Sequence, residues 1–256
     1  MSAAPIRARD VVVELGGQRI LRGVDLDVAR GQFVTILGAN GSGKYTLVRA
    51  VVGLTPHRGR IEIFGTELAR FTEHARWGYM PQRPEVSAGV PATVTEVVLS
   101  GLLVRRPLWG WPTRAERRTA AALIERVGLA DHANRPISQL SGGQQQRAHI
   151  ARSLVASHEL LVMDEPTAGV DAHSVAVFAD LLAEVKAEGT AILLVAHELG
   201  PLTPLIDRSV HLDHGLVEYE GPGCGPVEDH HHHDHDHLHT SEPTALRPLP
   251  EEGPFS

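Results

Sequence analysis

The stretch that decides the fold is Gly38-Ala39-Asn40-Gly41-Ser42-Gly43-Lys44-Tyr45-Thr46. It follows an apolar run, Phe33 to Leu37, and leads into a helical pattern from Leu47 to Val52. This order of strand, glycine-rich turn and helix start is typical of a phosphate-binding loop. Glycines let backbone N–H groups surround an anion, and the helix N-terminus adds its positive dipole end. Lys44 would reach the β- and γ-phosphates. The alternative interpretation of this stretch is a glycine-rich turn without a ligand.

One residue of this loop departs from the pattern. The residue after the lysine is normally Ser or Thr, whose hydroxyl binds Mg²⁺, and here it is Tyr45. A phenol is longer and more rigid than a serine side chain, so it cannot place its oxygen at the same point without displacing the loop. Thr46 cannot replace it, because successive helical residues point about 100° apart. The sequence therefore predicts a weakened magnesium site.

Composition limits the other function classes. The chain has 256 residues, of which 42% are hydrophobic, enough for one or two domains with a real core. No apolar run approaches the ~20 residues of a membrane span, and the N-terminus lacks the apolar core of a signal peptide. We therefore expect the chain to stay in the cytosol unless a partner brings it to a membrane. Cys224 is the only cysteine, so an intrachain disulfide is impossible.

Charge divides the chain into two parts. The net charge is −7, and residues 222–256 hold seven acidic residues and one arginine, so residues 1–221 are nearly neutral. A near-neutral body gives no electrostatic reason to expect nucleic-acid binding. The last part is rich in glycine, proline, acids and histidine and cannot bury enough apolar surface to fold. The sequence predicts a folded domain over 1–221 and a disordered tail over 222–256.

The hydrophobic patterns predict an α/β fold. Strands are predicted at 6–15, 19–28, 61–64, 77–80, 160–163, 191–196, 209–212 and 216–219, with a short helix or loop at 67–75. Helical patterns occupy 93 to about 157, interrupted at 107–112 and with a third helix starting near Gly143, and another helix is predicted at 173–188. The wholly apolar run before Asp164 is typical of a central parallel strand. Repeated strand–helix units favour a parallel sheet with a helical insertion.

Two further motifs carry chemistry. The apolar strand from Leu160 ends in Asp164 and Glu165, which beside a phosphate loop can hold Mg²⁺ and orient an attacking water. Alone, such a pair could be two surface acids. The other motif is Leu140-Ser141-Gly142-Gly143-Gln144, in which a hydroxyl, bare amides and a helix N-terminus form an anion site. Alone, it could be a helix start with Ser141 as its N-cap.

With these motifs in this order, residues 6–220 resemble the ATP-binding subunits of ABC transporters, whose signature is Leu-Ser-Gly-Gly-Gln. The resemblance implies a P-loop ABC ATPase core with an N-terminal antiparallel β-subdomain and a helical subdomain at about 83–157. By the same resemblance Gln82 senses Mg²⁺ and the γ-phosphate, and Glu165 is the catalytic base. Asp171 would lie in the loop that crosses a dimer interface, and His197 would be the switch histidine that contacts the γ-phosphate. The cofactors implied are ATP and Mg²⁺.

The resemblance also implies partners. Two copies would bind ATP between them in a head-to-tail dimer. A membrane permease would be contacted by the region after Gln82, which includes Pro84-Glu85 and the helical insertion. The chain would then lie at the cytoplasmic face of a bacterial membrane. The chain looks most like the zinc and manganese uptake branch, especially at 78–82 and 196–198, which implies an extracytoplasmic metal-binding protein served through the permease. Other solutes remain an alternative.

Two departures from the family pattern bear on activity. Leu15 stands near the position of an aromatic that stacks on adenine, and loss of stacking costs about 1–3 kcal/mol where bases stack elsewhere. Tyr45 predicts poor Mg-ATP binding and slow hydrolysis. A subunit that regulates or buffers metal without hydrolysing ATP is therefore a second alternative, although Gln82, Ser141, Glu165 and His197 are all intact.

The tail carries a candidate metal site of its own. Imidazoles interleaved with carboxylates suit Zn²⁺, and a flexible segment lets the ligands choose their geometry. A purification tag or a solvated tail with no metal role are the alternatives. The candidate zinc ligands are His230, His231, His232, His233, His235, His237 and His239.

Overall fold

The computed structural model describes residues 3–82, 91–105, 110–197 and 199–224, all within a compact unit that spans Met1–Gly225. The strands are β1 Ile6–Leu15, β2 Gln18–Val28, β3 Phe33–Leu37, β4 Arg58–Ile63, β5 Thr66–Glu67, β6 Trp77–Met80, β7 Leu160–Asp164, β8 Ala191–Val195, β9 Arg208–Asp213 and β10 Leu216–Pro222. The α-helices are α1 Lys44–Val51, α2 Val94–Ser100, α3 Arg114–Arg126, α4 Gly142–Leu154 and α5 Ala172–Ala187.

The strands form two sheets. A six-stranded sheet has the order β10-β9-β3-β8-β7-β6, in which only β10 runs antiparallel to its neighbour. A four-stranded antiparallel sheet has the order β2-β1-β4-β5. The parallel sheet, the N-terminal antiparallel sheet and the helices between β6 and β7 confirm the predicted fold class.

The parallel sheet is buried on both faces because its strands are apolar throughout. Alternate residues of a strand face opposite sides, and Leu161 and Met163 of β7 pack with α2–α5 while Leu160 and Val162 pack with α1 and the antiparallel sheet. Each face therefore has its own core. The sheet edge at the C-terminal ends of the parallel strands lies between these two layers.

The helices begin where the sequence supplies caps. Thr93, Thr113 and Ser141 each accept a hydrogen bond from the backbone N–H three residues later and complete a capping box with Glu96, Glu116 and Gln144. Asp171 caps α5 in the same way through the Ser174 N–H. The predicted interruption at 107–112 lies between α2 and α3, where residues 106–109 are outside the described ranges.

The elements differ from the predictions mainly at their ends. The strand predicted at 61–64 begins at Arg58 and stops at Ile63, because Phe64 adopts a left-handed conformation with φ of 50°. The last strand also differs from its predicted end at residue 219. β10 continues to Pro222, and the Gly223 N–H donates to Asp207 O at 3.0 Å, so regular backbone hydrogen bonding extends beyond residue 221. The predicted division at 221 and the helical subdomain at about 83–157 stay predictions. Residues 83–90 and 225–256 are outside the described residues.

Candidate nucleotide site

The loop after β3 closes tightly on the end of the sheet. Gly38 has φ of 141°, and a Cβ built there would lie 2.1 Å from Leu212 O of β9. Gly43, at φ of 106°, is the N-cap residue of α1. Only glycine fits such close approach and left-handed backbone, so the geometry of the loop requires glycine at positions 38 and 43. The result is a narrow turn whose last residues open a helix.

Lys44 folds back over this loop. Its side chain is buried, and Nζ donates to Gly38 O at 2.6 Å and to Ala39 O at 2.9 Å. Burial lowers the pKa of the ammonium, while the nearby carboxylates of Glu165 and Asp164 oppose that shift. The Lys44 ammonium is thus held at the opening of the loop, between two backbone carbonyls and the two acids. A phosphate bound there would replace the carbonyls as its hydrogen-bond acceptor.

Tyr45 points along the helix that the loop opens. Its Oη accepts a hydrogen bond from Arg49 Nη1 at 2.9 Å, one helical turn further on, and the side chain is 47% exposed. Thr46 is partly buried on the neighbouring face of the helix and lines the cleft over the loop. The phenol oxygen therefore lies beside Arg49.

Four neighbouring parallel strands bring the phosphate loop, the carboxylates of β7, Gln82 and His197 to the same sheet edge. The phosphate loop follows β3, His197 follows β8, Asp164 and Glu165 end and follow β7, and Gln82 follows β6. Glu165 connects them: its Oε1 lies 2.9 Å from His197 Nε2, and its Oε2 accepts a hydrogen bond from Gln82 Nε2. The three residues named by resemblance as catalytic thus form one bonded group.

The two acids of this edge differ in environment. Asp164 is 1% exposed, and burial followed by the Glu165 charge raises its pKa to about 6, against the opposing charges of Lys44 and Arg49. Its Oδ2 has no hydrogen-bond partner among the described residues. Glu165 adopts a left-handed φ of 46° and is held by its N–H, which donates to Val195 O at 2.9 Å. That backbone turn swings the Glu165 carboxylate toward Gln82 and His197.

The phosphate loop, Gln82, Asp164 and Glu165 line one cleft of about 470 Å³. Its polar wall is the loop and the Gln82–Asp164–Glu165 edge, and its apolar wall is formed by Leu15 and Ile20 of the antiparallel sheet. Leu15 is 47% exposed and is the residue predicted to stand where an adenine would stack. The cleft has the volume and polarity of a small-molecule site.

The predicted signature motif opens a different cleft. Ser141 and Gln144 form the capping box of α4, and Gln144 Nε2 also lies 3.1 Å from His132 Nε2. Gly142 and Gly143 line a separate space of about 470 Å³ together with Gln82, Ala168, Gly169 and residues further along α4. Of the described residues, Gln82 alone lines both clefts. Within one chain the signature does not contribute to the phosphate-loop cleft.

Both carboxylate oxygens of Asp171 accept hydrogen bonds at the start of α5. Its Oδ1 accepts the Ser174 N–H at 2.9 Å and its Oδ2 accepts the Ser174 hydroxyl at 2.7 Å. These hydrogen bonds lower the pKa of the carboxyl. The structure gives Asp171 a helix-capping role, and its predicted place at a dimer interface stays a prediction.

Two residues beside the site, Tyr79 and Arg49, were not predicted from the sequence. Tyr79 of β6 has a buried hydroxyl without a partner in the described part of the chain, and burial, then Asp164 and Tyr45, raise its pKa to about 12. Arg49 contacts Tyr45 and acts on Asp164. The spacing of four residues between Tyr45 and Arg49 on a predicted helix was the available signal for Arg49.

The predicted zinc ligands of the tail, His230 to His239, lie outside the described residues. Within residues 3–82, 91–105, 110–197 and 199–224 no group of three or more His, Cys, Asp or Glu side chains is arranged to hold a metal ion. No helix in these ranges is long and apolar enough to cross a bilayer.

Comparison with known proteins agrees with this geometry. The sequence pattern of the ABC transporter family matches residues 21–168. The chain is 40% identical to the manganese transport system ATP-binding protein MntB of Bacillus subtilis over 196 residues, covering 76% of this chain and 78% of that protein. It is 35% identical to the zinc uptake system ATP-binding protein ZurA of Listeria monocytogenes, covering 83% and 84%.

A solved structure shares the fold. It is a dimeric ATP-binding cassette in a post-hydrolysis state with ADP and Pi, which superposes with a TM-score of 0.72 at 25% identity, covering 85% of this chain and 98% of that one. The glycine loop, the strand-end carboxylates and the signature helix all fall within residues 21–168, which the family pattern matches. The chain therefore belongs to the ABC transporter family, as one of its ATP-binding subunits.

Proposed function

We propose that Glu165 is the general base for ATP hydrolysis and that Gln82 and His197 position it. The observation that carries this proposal is the bonded group at the sheet edge, in which both Glu165 oxygens have a partner and in which Glu165 and Gln82 line the cleft over the phosphate loop. A carboxylate oriented by two neighbours can take a proton from a water directed at the γ-phosphate. Lys44 would exchange its loop carbonyls for phosphate oxygens and neutralise their charge.

Asp164 suits Mg²⁺, because a buried carboxylate oxygen without a partner among the described residues is the donor that a hard cation needs. Gln82 is the second candidate ligand. Mg²⁺ bound there would neutralise charge on the phosphates. Because Mg²⁺ keeps several waters readily, a water can stand in for the serine or threonine hydroxyl that Tyr45 replaces, at a cost in affinity.

Measurement of ATPase activity tests this site. We expect Glu165→Gln to retain nucleotide binding and to lower hydrolysis at least about 100-fold, the range for loss of a general base. Tyr45→Ser should raise the affinity for Mg-ATP and the hydrolysis rate. Unchanged hydrolysis in Glu165→Gln would remove Glu165 from the mechanism. Equal rates for wild type and Tyr45→Ser would show that Tyr45 does not impair the site.

A complete site on this proposal needs a second copy of the chain. The signature glycines line a different cleft from the phosphate loop, so the loop of one copy would meet Ser141, Gly142, Gly143 and Gln144 of the other. Asp171 would lie between the two copies. The solved cassette of the same fold is dimeric, which supports this arrangement.

We propose a divalent metal ion, zinc or manganese, as the cargo. The proposal rests on relatives named as manganese and zinc transport ATP-binding proteins, at 33–40% identity. The chain would then act at the cytoplasmic face of the membrane, on a permease that receives metal from an extracytoplasmic binding protein. Uptake of radioactive zinc and manganese by cells with and without the gene tests this. Undiminished uptake of both metals in the deletion strain would reject it.

For the tail we propose Zn²⁺ binding by the histidines from His230 to His239. Calorimetry on the full chain and on a chain ending at Gly225 separates the tail from the body. We expect heat of zinc binding in the full chain and its loss on truncation. Identical titrations would show that the tail binds no zinc.

A further inference from the structure

Tyr45 is held by the side chain of Arg49. Its Oη accepts from Arg49 Nη1 at 2.9 Å, and the guanidinium carbon lies 5.3 Å from the centre of the phenol ring. Residues four apart on a helix share a face, so this contact lays the phenol along α1 toward the C-terminal half of the helix. The hydroxyl is thereby directed away from the loop that α1 follows.

The Arg49 guanidinium is itself hydrogen-bonded to residues just beyond the C-terminus of α1. Nε donates to Thr55 Oγ1 at 3.3 Å and Nη2 donates to Leu54 O at 3.4 Å. A guanidinium is a rigid planar fork, so two contacts on one side fix the direction of the third donor. The bond to Tyr45 is therefore made by a preoriented group.

The alternative position for the phenol is beside Asp164. Asp164 Oδ2 is buried and lacks a hydrogen-bond partner in the described residues, as does Tyr79 Oη. Tyr45 and Asp164 line the same cleft, and Arg49 contacts Tyr45 from one turn further along α1. A phenol released from Arg49 can rotate to another staggered rotamer and donate to the free carboxylate oxygen. It would then occupy the oxygen that the proposed function assigns to Mg²⁺.

We infer that Arg49 is a positioning residue that holds the Tyr45 phenol along α1 and so keeps the Asp164 carboxylate open to Mg²⁺. The inference rests on the proposed function of this site. It gives a physical reason why a tyrosine is tolerated after Lys44: the side chain is fastened to the helix, and the magnesium position loses one ligand without being filled.

A double-mutant cycle on nucleotide affinity tests the inference. The probe is a fluorescent ATP analogue, titrated into the full chain once with Mg²⁺ and once with EDTA. We expect Arg49→Met to weaken binding about tenfold with Mg²⁺, because Mg²⁺ must then displace a hydrogen bond between the released phenol and the charged Asp164 carboxylate. Binding in EDTA should be unchanged. Tyr45→Phe keeps the ring but has no hydroxyl to donate to Asp164, so we expect it to leave the Mg²⁺ titration unchanged although the contact with Arg49 is lost.

The matched control is Arg49→Met in a Tyr45→Ser background. It carries the same loss of contacts to Thr55 and Leu54 but has no phenol to release, so we expect no further effect on the Mg²⁺ titration. An equal loss in both backgrounds, or no loss in either, would overturn the inference. If wild type and Tyr45→Ser both fail to bind the analogue, the proposed function fails and takes the inference with it. Binding without coupling overturns the inference alone.

Discussion

His149 lies in α4 between the signature cleft and a smaller cavity against β6, and it shows how burial decides a charge state. Its side chain is 5% exposed, and both ring nitrogens lack hydrogen-bond partners among the described residues. Burial, with a smaller contribution from the Arg152 charge, lowers its pKa to about 4. The imidazole is therefore neutral in the folded protein at physiological pH.

This residue makes stability depend on pH. The pKa of His149 is about 4 in the fold and 6.5 in a free side chain, so the unfolded chain binds more protons between those values and stability falls as pH falls through that window. In urea unfolding without nucleotide, we expect His149→Leu to retain about 1–2 kcal/mol more stability relative to wild type at pH 5 than at pH 7.5. A difference between the two proteins that stays constant with pH would contradict this.

At the residue scale, the sequence named the site but not its internal contacts. Lys44, Asp164 and Glu165 could be assigned to the site from the sequence, because each lies at or just beyond the end of a buried apolar strand. The contacts of Glu165 with Gln82 and His197 could not be predicted, since they depend on a left-handed turn at Glu165 that no sequence pattern requires. The same holds for Tyr45, whose direction is set by Arg49 and the loop beyond α1.

At the scale of elements, the glycines of the phosphate loop are not equivalent. An alanine Cβ at Gly38 would lie 2.1 Å from Leu212 O, whereas at Gly41, with φ of 83°, it would meet nothing within 4 Å. We expect Gly41→Ala to cost about 1 kcal/mol of unfolding free energy from backbone strain alone. Gly38→Ala should cost about 3 kcal/mol or more, because β9 must also move. Urea unfolding compares them, and equal losses would mean that the loop does not press on β9.

The cap of α3 is a second prediction at this scale. Thr113 Oγ1 accepts the Glu116 N–H at 3.2 Å, and its removal leaves a helix-end donor without that partner. We expect Thr113→Ala to lower the unfolding free energy by about 1 kcal/mol. Thr119→Ala in the same helix is the control, since Thr119 is exposed and its hydroxyl only donates to the Ala115 carbonyl, which the helix already uses. A loss in Thr119→Ala as large as in Thr113→Ala would refute the capping effect.

Elements were predictable where one physical signal dominated. The strands β3, β7 and β8 are unbroken apolar runs, and α3, α4 and α5 each start at a Thr, Ser or Asp that caps them. The region between Glu67 and Arg76 was harder, because β5 is two residues long and is held by pairing with β4 rather than by its own pattern. Sheet order also had no local signal: β8 lies between β3 and β7 although it follows both in sequence.

At the scale of the whole molecule, the separation of the two clefts leads to a prediction about assembly. With Mg²⁺, ATP and the Glu165→Gln background, we expect light scattering to show a dimer. Ser141→Arg places a long charged side chain at the start of α4 and should leave the chain monomeric. Thr119→Arg, at an exposed position on α3, is the matched control and should still dimerise. Dimerisation of the Ser141→Arg variant would place the contact surface elsewhere.

The order of the parallel strands has a consequence for how the protein is made. The cleft takes its residues from strands that neighbour one another as β3-β8-β7-β6 but are synthesised as β3, β6, β7 and β8. A nascent chain that has not yet emerged past Ala191 carries the phosphate loop and the acids of β7, yet it lacks the strand that joins them. Closing the sheet means inserting β8 between two strands already present. The cleft therefore cannot be complete until β8 has been synthesised and has paired with both β3 and β7.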